Sequence, residues 1–241
     1  MGAAAGPDVT VPAIEHSVVA RVARLRELDV CAVSDALDML NRRGVTTVVS
    51  PMWPVTGVVA GVARTVQAGP RSPGGPADHI GAAAVDASGP VHVLIIANAG
   101  REDVSCWGGL LSQAARRNGI AGVVIDGACR DIAESEAVRF PVFARRAVPT
   151  SARGRIVQVS MDEPVDFAGL VIASGDYVIA DRTGVTFISA EQIDHVLLLA
   201  ERIAQREAAM SEQVTAGRPI RAVMHDSKFP TLDDRPSEGH R

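Results

Sequence analysis

Apolar residues recur along this chain in two rhythms, one helical and one of the continuous kind found in buried strands. Val18, Val19, Val22 and Leu25 lie at helical spacing and predict a first helix from about Pro12 to Leu28. Ser34 offers an N-cap to SDALDMLNRR, with Gly44 as a left-handed C-cap, so a second helix is expected there. Val58 to Val66 reads as one or two strands broken by Gly61, and Gly69 to Pro76 as a loop by composition. A helix is expected over Ala77 to Ala87, then a buried strand, VHVLIIANAG, ending at Gly100. Trp107 to Asn118 predicts a helix closed by Gly119, and IAGVVIDG a second buried strand with ACRD as the loop at its carboxyl end. Short strands are expected near Arg155 to Ser160, Leu170 to Ala173, Tyr177 to Ala180 and Val185 to Ile188. An amphipathic helix then covers Ala190 to about Gln213. Buried strands alternating with helices in mid-chain predict an α/β fold. No repeat or long linker divides the chain, so residues 1–241 read as one domain, with 218–241 an extended or disordered tail.

Composition narrows the chemistry. The chain has 241 residues, 47% hydrophobic and 22% charged, which suits a globular protein with a full core. A formal net charge of −4 gives no basic stripe for nucleic acid. No apolar run reaches the ~18 residues of a membrane span, and the N-terminal stretch lacks the basic flank of a secretory signal. Cys31, Cys106 and Cys129 are scattered without CxxC spacing, which argues against a disulfide framework or structural zinc and for the cytoplasm. The single lysine, Lys228, lies in the polar tail. Schiff-base catalysis needs a desolvated lysine in a pocket. Carbonyl chemistry here must therefore rest on a metal, an oxyanion hole or acid–base groups.

The segment WGGLLSQAARRNGIAGVVIDGACRD, Trp107 to Asp131, carries that chemistry. Backbone N–H groups of Gly108, Gly109, Leu110 and Leu111 form an anion site at a helix start, and glycine lets a ligand approach closely. Arg130, at the carboxyl end of a buried strand, is placed to clamp a carboxylate through two parallel bonds. Asp131 beside it suits a hard cation such as Mg²⁺. The bland reading of Arg130–Asp131 is an ion pair closing a helix start.

The pattern WG-x-LL followed by AG-x-V-x-DG-x-x-RD resembles RraA-like proteins and the related 4-hydroxy-4-methyl-2-oxoglutarate aldolases. The resemblance extends to SDALD (Ser34 to Asp38), GVVAGVART (Gly57 to Thr65), GDYVIADRTGV (Gly175 to Val185) and QREAAM with Glu207, from about Val30 to Gly217. It implies the swivelling β/β/α sandwich of that family. It implies an Mg²⁺- or Mn²⁺-dependent lyase that cleaves or decarboxylates a small 2-oxo acid or dicarboxylate through a pyruvate enolate. Arg130 would hold the carboxylate, Gly108 to Leu111 its other end, and Asp131 the metal, with Glu134 one helical turn on. Glu207 would complete the metal site as a ligand from a neighbouring subunit, making the working unit a homotrimer or hexamer.

One position departs from the pattern: active aldolases of the group carry an acid where this chain has Gly109. Glu102 and Asp103 lie a turn upstream as candidate substitutes. RraA proteins, which inhibit an RNA-degrading endonuclease, also have glycine here. Two alternatives follow, a regulatory binding protein without chemistry, or a pathway-specific lyase with a changed substrate. In the second, Ala97 to Cys106 and Gly69 to Pro76 would shape a new pocket.

Other polar residues have structural readings. Asp126 ahead of Gly127 reads as a turn-former, and Asp35 and Asp38 as first-turn helix charges. His79 is the only histidine near a loop mouth, with Asp78 beside it, and Cys106 and Cys129 read as packing residues. Trp107 is expected either to pack or to wall the pocket.

Overall fold

The computed structural model describes residues 17–71 and 78–224. Its helices and strands follow in the order α1 (Val18–Arg26), α2 (Val30–Met39), β1 (Val45–Thr46), β2 (Ser50–Pro51), β3 (Val59–Pro70), α3 (Ala82–Asp86), β4 (His92–Ser105) and α4 (Gly109–Arg117). Then come β5 (Gly122–Cys129), α5 (Ile132–Ala137), β6 (Val142–Ala147), β7 (Ile156–Met161), β8 (Val165–Phe167), β9 (Leu170–Ile172), β10 (Tyr177–Ala180), β11 (Val185–Ile188), α6 (Ile193–Thr215) and α7 (Ile220–Val223).

The architecture is mixed α/β, as expected. Strands β3, β4, β5 and β6 are parallel neighbours at the centre of a nine-stranded sheet, which continues antiparallel through β10, β11 and β1 on one side and β2 on the other. Twelve-residue β3 serves two partners along one edge: Val59 to Val62 pair with β10, and Val66 to Pro70 with β7. Gly61 does not break this strand. A Cβ there would lie 2.6 Å from the Val91 carbonyl oxygen, so glycine is what lets the neighbouring chain approach.

The central strands are apolar throughout because both faces of the sheet are covered. On β4, Leu94 and Ile96 enter a core with Trp107, Ile125 and Phe140, whereas Val93 and Ile95 point the other way into a core with Val124, Phe143, Phe167 and Phe187. This is the two-residue alternation of a strand. A third core packs Leu25, Val33, Leu37, Leu197 and Ile203 of the three larger N- and C-terminal helices against Ala60, Tyr177 and Ile179. Truncating such a buried leucine or isoleucine to alanine costs about 2–5 kcal/mol.

Several local expectations are corrected. The second helix is capped by Asp29, whose carboxylate accepts the Ala32 N–H at 2.8 Å, not by Ser34, which lies inside the helix. Starting there places Val30, Val33 and Leu37 on the buried face. Asp35 and Asp38 therefore lie beyond the first turn. Gly44 follows the helix at a distance, where a Cβ would collide with the Phe187 carbonyl at 2.2 Å. The helix expected over Ala77 to Ala87 is reduced to Ala82–Asp86, and the strand expected to end at Gly100 runs on to Ser105 with two irregularities. Ile220–Val223 forms a helical turn inside the expected tail. The N-terminal part of the first expected helix, most of the Gly69 to Pro76 loop and Lys228 lie outside the described residues. Among the described residues no helix is long and apolar enough to cross a membrane.

Candidate active site

Parallel pairing of β4 with β5 brings the carboxyl ends of the two strands together, with Ser105 opposite Ala128. The chain segments leaving them stay linked: the Cys106 N–H donates to the Ala128 carbonyl and the Arg130 N–H to the Trp107 carbonyl, each at 3.0 Å. Gly108–Gly109 and Arg130–Asp131 are thereby fixed side by side, although 21 to 23 positions separate them in sequence. Trp107 anchors this corner. It is buried, stacks on Phe140 with ring centroids 5.9 Å apart, and donates its Nε1–H to Ser112 Oγ at 2.9 Å. It also lines the cleft, so it both packs and walls.

Asp131 is the pivot of the geometry. Its backbone is left-handed (φ 55°, ψ 46°), a conformation costing about 1–3 kcal/mol in a non-glycine residue and common at functional sites. Its Oδ2 accepts the Gly109 N–H at 3.1 Å and pairs with Arg130 Nε at 3.2 Å. The bland ion-pair reading is therefore part of the truth, and one amide of the expected anion site is already satisfied by protein. The N–H groups of Leu110 and Leu111 remain in the first helical turn, where no intrahelical acceptor exists. Asp131 Oδ1 has no hydrogen-bond partner among the described residues.

These groups open onto a cleft of about 400 Å³. Its floor is apolar, with Trp107, Ile80, Ile156 and Val157, and its rim carries Arg130, Asp131, Arg71, Arg153, His79 and Asp78. Three arginines against two aspartates make the cleft locally positive on a chain of net charge −4. Such a site attracts a small anion. Sequence reading missed Arg71 and Arg153, which approach from the end of β3 and the turn before β7; nothing local in their sequence marks them. His79 was noted, and it does line the cleft.

The remaining expected residues are distributed unevenly. Glu134, in the first turn of α5, stands against Gly109. Glu207 lies elsewhere, in a separate pocket of about 210 Å³ with Asp35, Asp38 and Arg206. Burial raises the pKa of Glu207, with Asp29 and Asp35 adding to it, and burial likewise raises that of Asp35. Among the described residues no three His, Cys, Asp or Glu side chains gather as a metal cluster. The cleft itself offers the hard carboxylate oxygens of Asp131, and Glu134, which does not line it, stands against Gly109 at its edge. That donor set suits Mg²⁺, which keeps several waters and takes one or two carboxylates plus oxygens of the substrate.

Other candidates are removed. Cys106 and Cys129 are buried, and burial pushes the first thiol strongly up and the second to about 12, so neither supplies a thiolate. Glu102 does not replace the acid missing at Gly109: it faces Arg145 and Arg146 at 4.0 and 3.8 Å, and neither it nor Asp103 lines the cleft. Asp126 is no turn-former; it is buried in β5 and paired with Arg145 Nε at 2.6 Å.

Residues 30–187 match the family model described as RraA-like, Aldolase/RraA. The chain belongs to the RraA-like family. It is 32% identical over 218 residues to a Halalkalibacterium halodurans protein provisionally named a 4-hydroxy-4-methyl-2-oxoglutarate aldolase, covering 87% of this chain and 96% of that one. A crystal structure of an uncharacterized Pseudomonas syringae pv. tomato protein superposes with a TM-score of 0.78 at 27% identity, covering 86% of this chain and 98% of the other. Streptomyces coelicolor RraAS2, described as an unusual member of the RNase ES inhibitor RraA protein family, shares the fold with a TM-score of 0.72 at 24% identity, over 80% of this chain and 96% of that one. The matched stretch spans only 31% of one further curated relative and 64% of another. The expected RraA-like α/β fold is thus confirmed.

Proposed function

We propose that this RraA-like protein is a divalent-metal-dependent carbon–carbon lyase that cleaves or decarboxylates a small 2-oxo acid. The observation that carries the reading is the side-by-side placement of Arg130, Asp131 and the glycine-opened start of α4 at the strand ends, above an apolar floor. Arg130, 41% exposed and held among the described residues only through Nε, has its outer nitrogens placed for a substrate carboxylate. The Leu110 and Leu111 amides orient the other end of the same anion. Trp107, Ile80 and Ile156 limit water around the reacting carbons. Asp131 and Glu134 would hold Mg²⁺ or Mn²⁺, whose role is to polarise the 2-oxo group and stabilise the enolate charge.

Proton transfer needs a further group, and Glu207 is a candidate for it, its pKa raised by partial desolvation and by the Asp29 and Asp35 charges. Within one chain it lines a different pocket from Arg130. The reading therefore requires Glu207 of a second copy at the cleft, in a homotrimer or hexamer. A regulatory protein that grips a partner without chemistry is the competing reading. Gly109 favours it, as does Leu110, 81% exposed beside the cleft. Pyruvate release from oxaloacetate and from 4-hydroxy-4-methyl-2-oxoglutarate, with metal and with chelator, separates the two.

A further inference from the structure

We propose that Gly109 and Glu134 are a matched pair, in which the missing side chain on α4 admits the Glu134 carboxylate to the start of that helix as the second acidic group beside Asp131. The inference rests on the lyase reading of the cleft and deepens it. Gly109 is the first residue of α4, and the lack of a side chain there calls for a reason. Backbone conformation is not that reason, because Gly109 is absent from the positive-φ glycines of the described chain. Space is. A Cβ on residue 109 would lie 1.7 Å from Glu134 Oε2, 2.6 Å from its Cδ and 2.8 Å from its Cβ. Swinging the carboxylate away would relieve the first two contacts but not the third, which is set by the backbone of α5.

The neighbouring glycine repeats the arrangement. Gly108 has an extended φ of −155°, open to any residue, yet a Cβ there would meet Asp131 Oδ2 at 2.7 Å. Two adjacent glycines are thus each faced by a carboxylate from the start of α5. The unsatisfied amides and dipole of α4 favour negative charge at this spot and offset the repulsion between the two acids. Glu134 is exposed, so its carboxylate stays accessible to a cation or a cation-bound water. An acid at position 109 and an acid at position 134 consequently exclude one another. Gly109→Asp does not add a carboxylate to this site; it displaces one.

The test is a Mn²⁺ titration followed by electron paramagnetic resonance, with pyruvate release measured in parallel, on wild type, Glu134→Gln, Gly109→Asp, the double variant Gly109→Asp/Glu134→Gly, and Asp131→Asn. Glu134→Gln is expected to weaken Mn²⁺ binding about 10–100-fold with the fold unchanged by circular dichroism. Gly109→Asp alone should weaken it to a similar degree, and the double variant should recover most of the loss. Wild-type affinity in Glu134→Gln, or tighter binding in Gly109→Asp with Glu134 in place, overturns the pairing. If Asp131→Asn loses Mn²⁺ while Glu134→Gln does not, the pairing alone fails. If wild type binds no Mn²⁺, the lyase reading fails with it.

Discussion

The cleft at the ends of β4 and β5 and the pocket between α2 and α6 are built on opposite principles. The first gathers Arg71, Arg130 and Arg153 around the start of α4, with Asp131 tied to the Gly109 amide. The second gathers Asp35, Asp38 and Glu207 against Met39, Ile203 and Met210, with Arg206 as its lining cation. One is prepared to receive an anion. The other gathers carboxyl groups, two of which, Asp35 and Glu207, have pKa values raised by partial desolvation and by neighbouring carboxylates. No described residue lines both. What the contrast teaches is that within one chain Arg130 and Glu207 stand in different pockets, so the proposed reaction can use both only if a second copy brings its Glu207 to the cleft.

The largest expected effect comes from removing the anion clamp. Arg130→Ala should lower kcat/KM by about 10²–10³-fold, as loss of a charge-stabilising donor does, while thermal unfolding barely changes because the side chain is half exposed. Arg130→Lys should rescue little, since a point charge does not replace a planar fork. A parallel collapse of stability in Arg130→Ala would return the residue to a structural role. Next in size is Asp131→Ala, which removes both the proposed metal ligand and the acceptor for the Gly109 N–H. Calorimetry should show a loss of about 1 kcal/mol from the missing cap, together with loss of metal-dependent turnover.

The separation of Arg130 from Glu207 is itself testable. Arg130→Ala and Glu207→Gln proteins, each inactive alone, should regain part of the wild-type rate when unfolded and refolded together, because some mixed assemblies then contain one intact shared site. Mixtures no more active than their components would place the two residues in independent roles. The smallest effect lies far from both regions, at His92. Burial, followed by the Arg64 charge, lowers its pKa below the ordinary value of 6.5, and its Nδ1 accepts the Gly89 N–H. The unfolded chain therefore takes up the proton first. The contribution of neutral His92 to stability is full above pH 6.5 and is lost as pH falls through that value toward the folded pKa. Tm measured from pH 7.5 down to 5.5 should decline slightly less in His92→Gln than in wild type.

The anion side of the contrast was legible in sequence because it is nearly contiguous. Trp107 to Asp131 spans one helix, one turn and one strand, and its glycines and terminal Arg–Asp pair announce a helix start facing a strand end. The rest was not legible, because it depends on which segments the sheet sets side by side. Asp126 looked like a turn residue until β5 placed it next to β6 and Arg145. Ser34 and Asp29 were equally good caps by type, and only packing of Val33 and Leu37 against α6 selects the earlier start. Arg71 and Arg153 reach the cleft from distant turns. The missing acid at Gly109 was visible, but not that Glu134 fills the vacated space, since this depends on the left-handed turn at Asp131 that aims α5 back across α4.

The most direct test of the account is pyruvate release from oxaloacetate and 4-hydroxy-4-methyl-2-oxoglutarate, assayed with Mg²⁺, with Mn²⁺ and with chelator, in wild type and Arg130→Ala. The account predicts release from at least one compound that requires the metal, disappears with chelator and is lost in Arg130→Ala. Release that survives both the chelator and Arg130→Ala, or no release from either compound by metal-loaded protein, would contradict it.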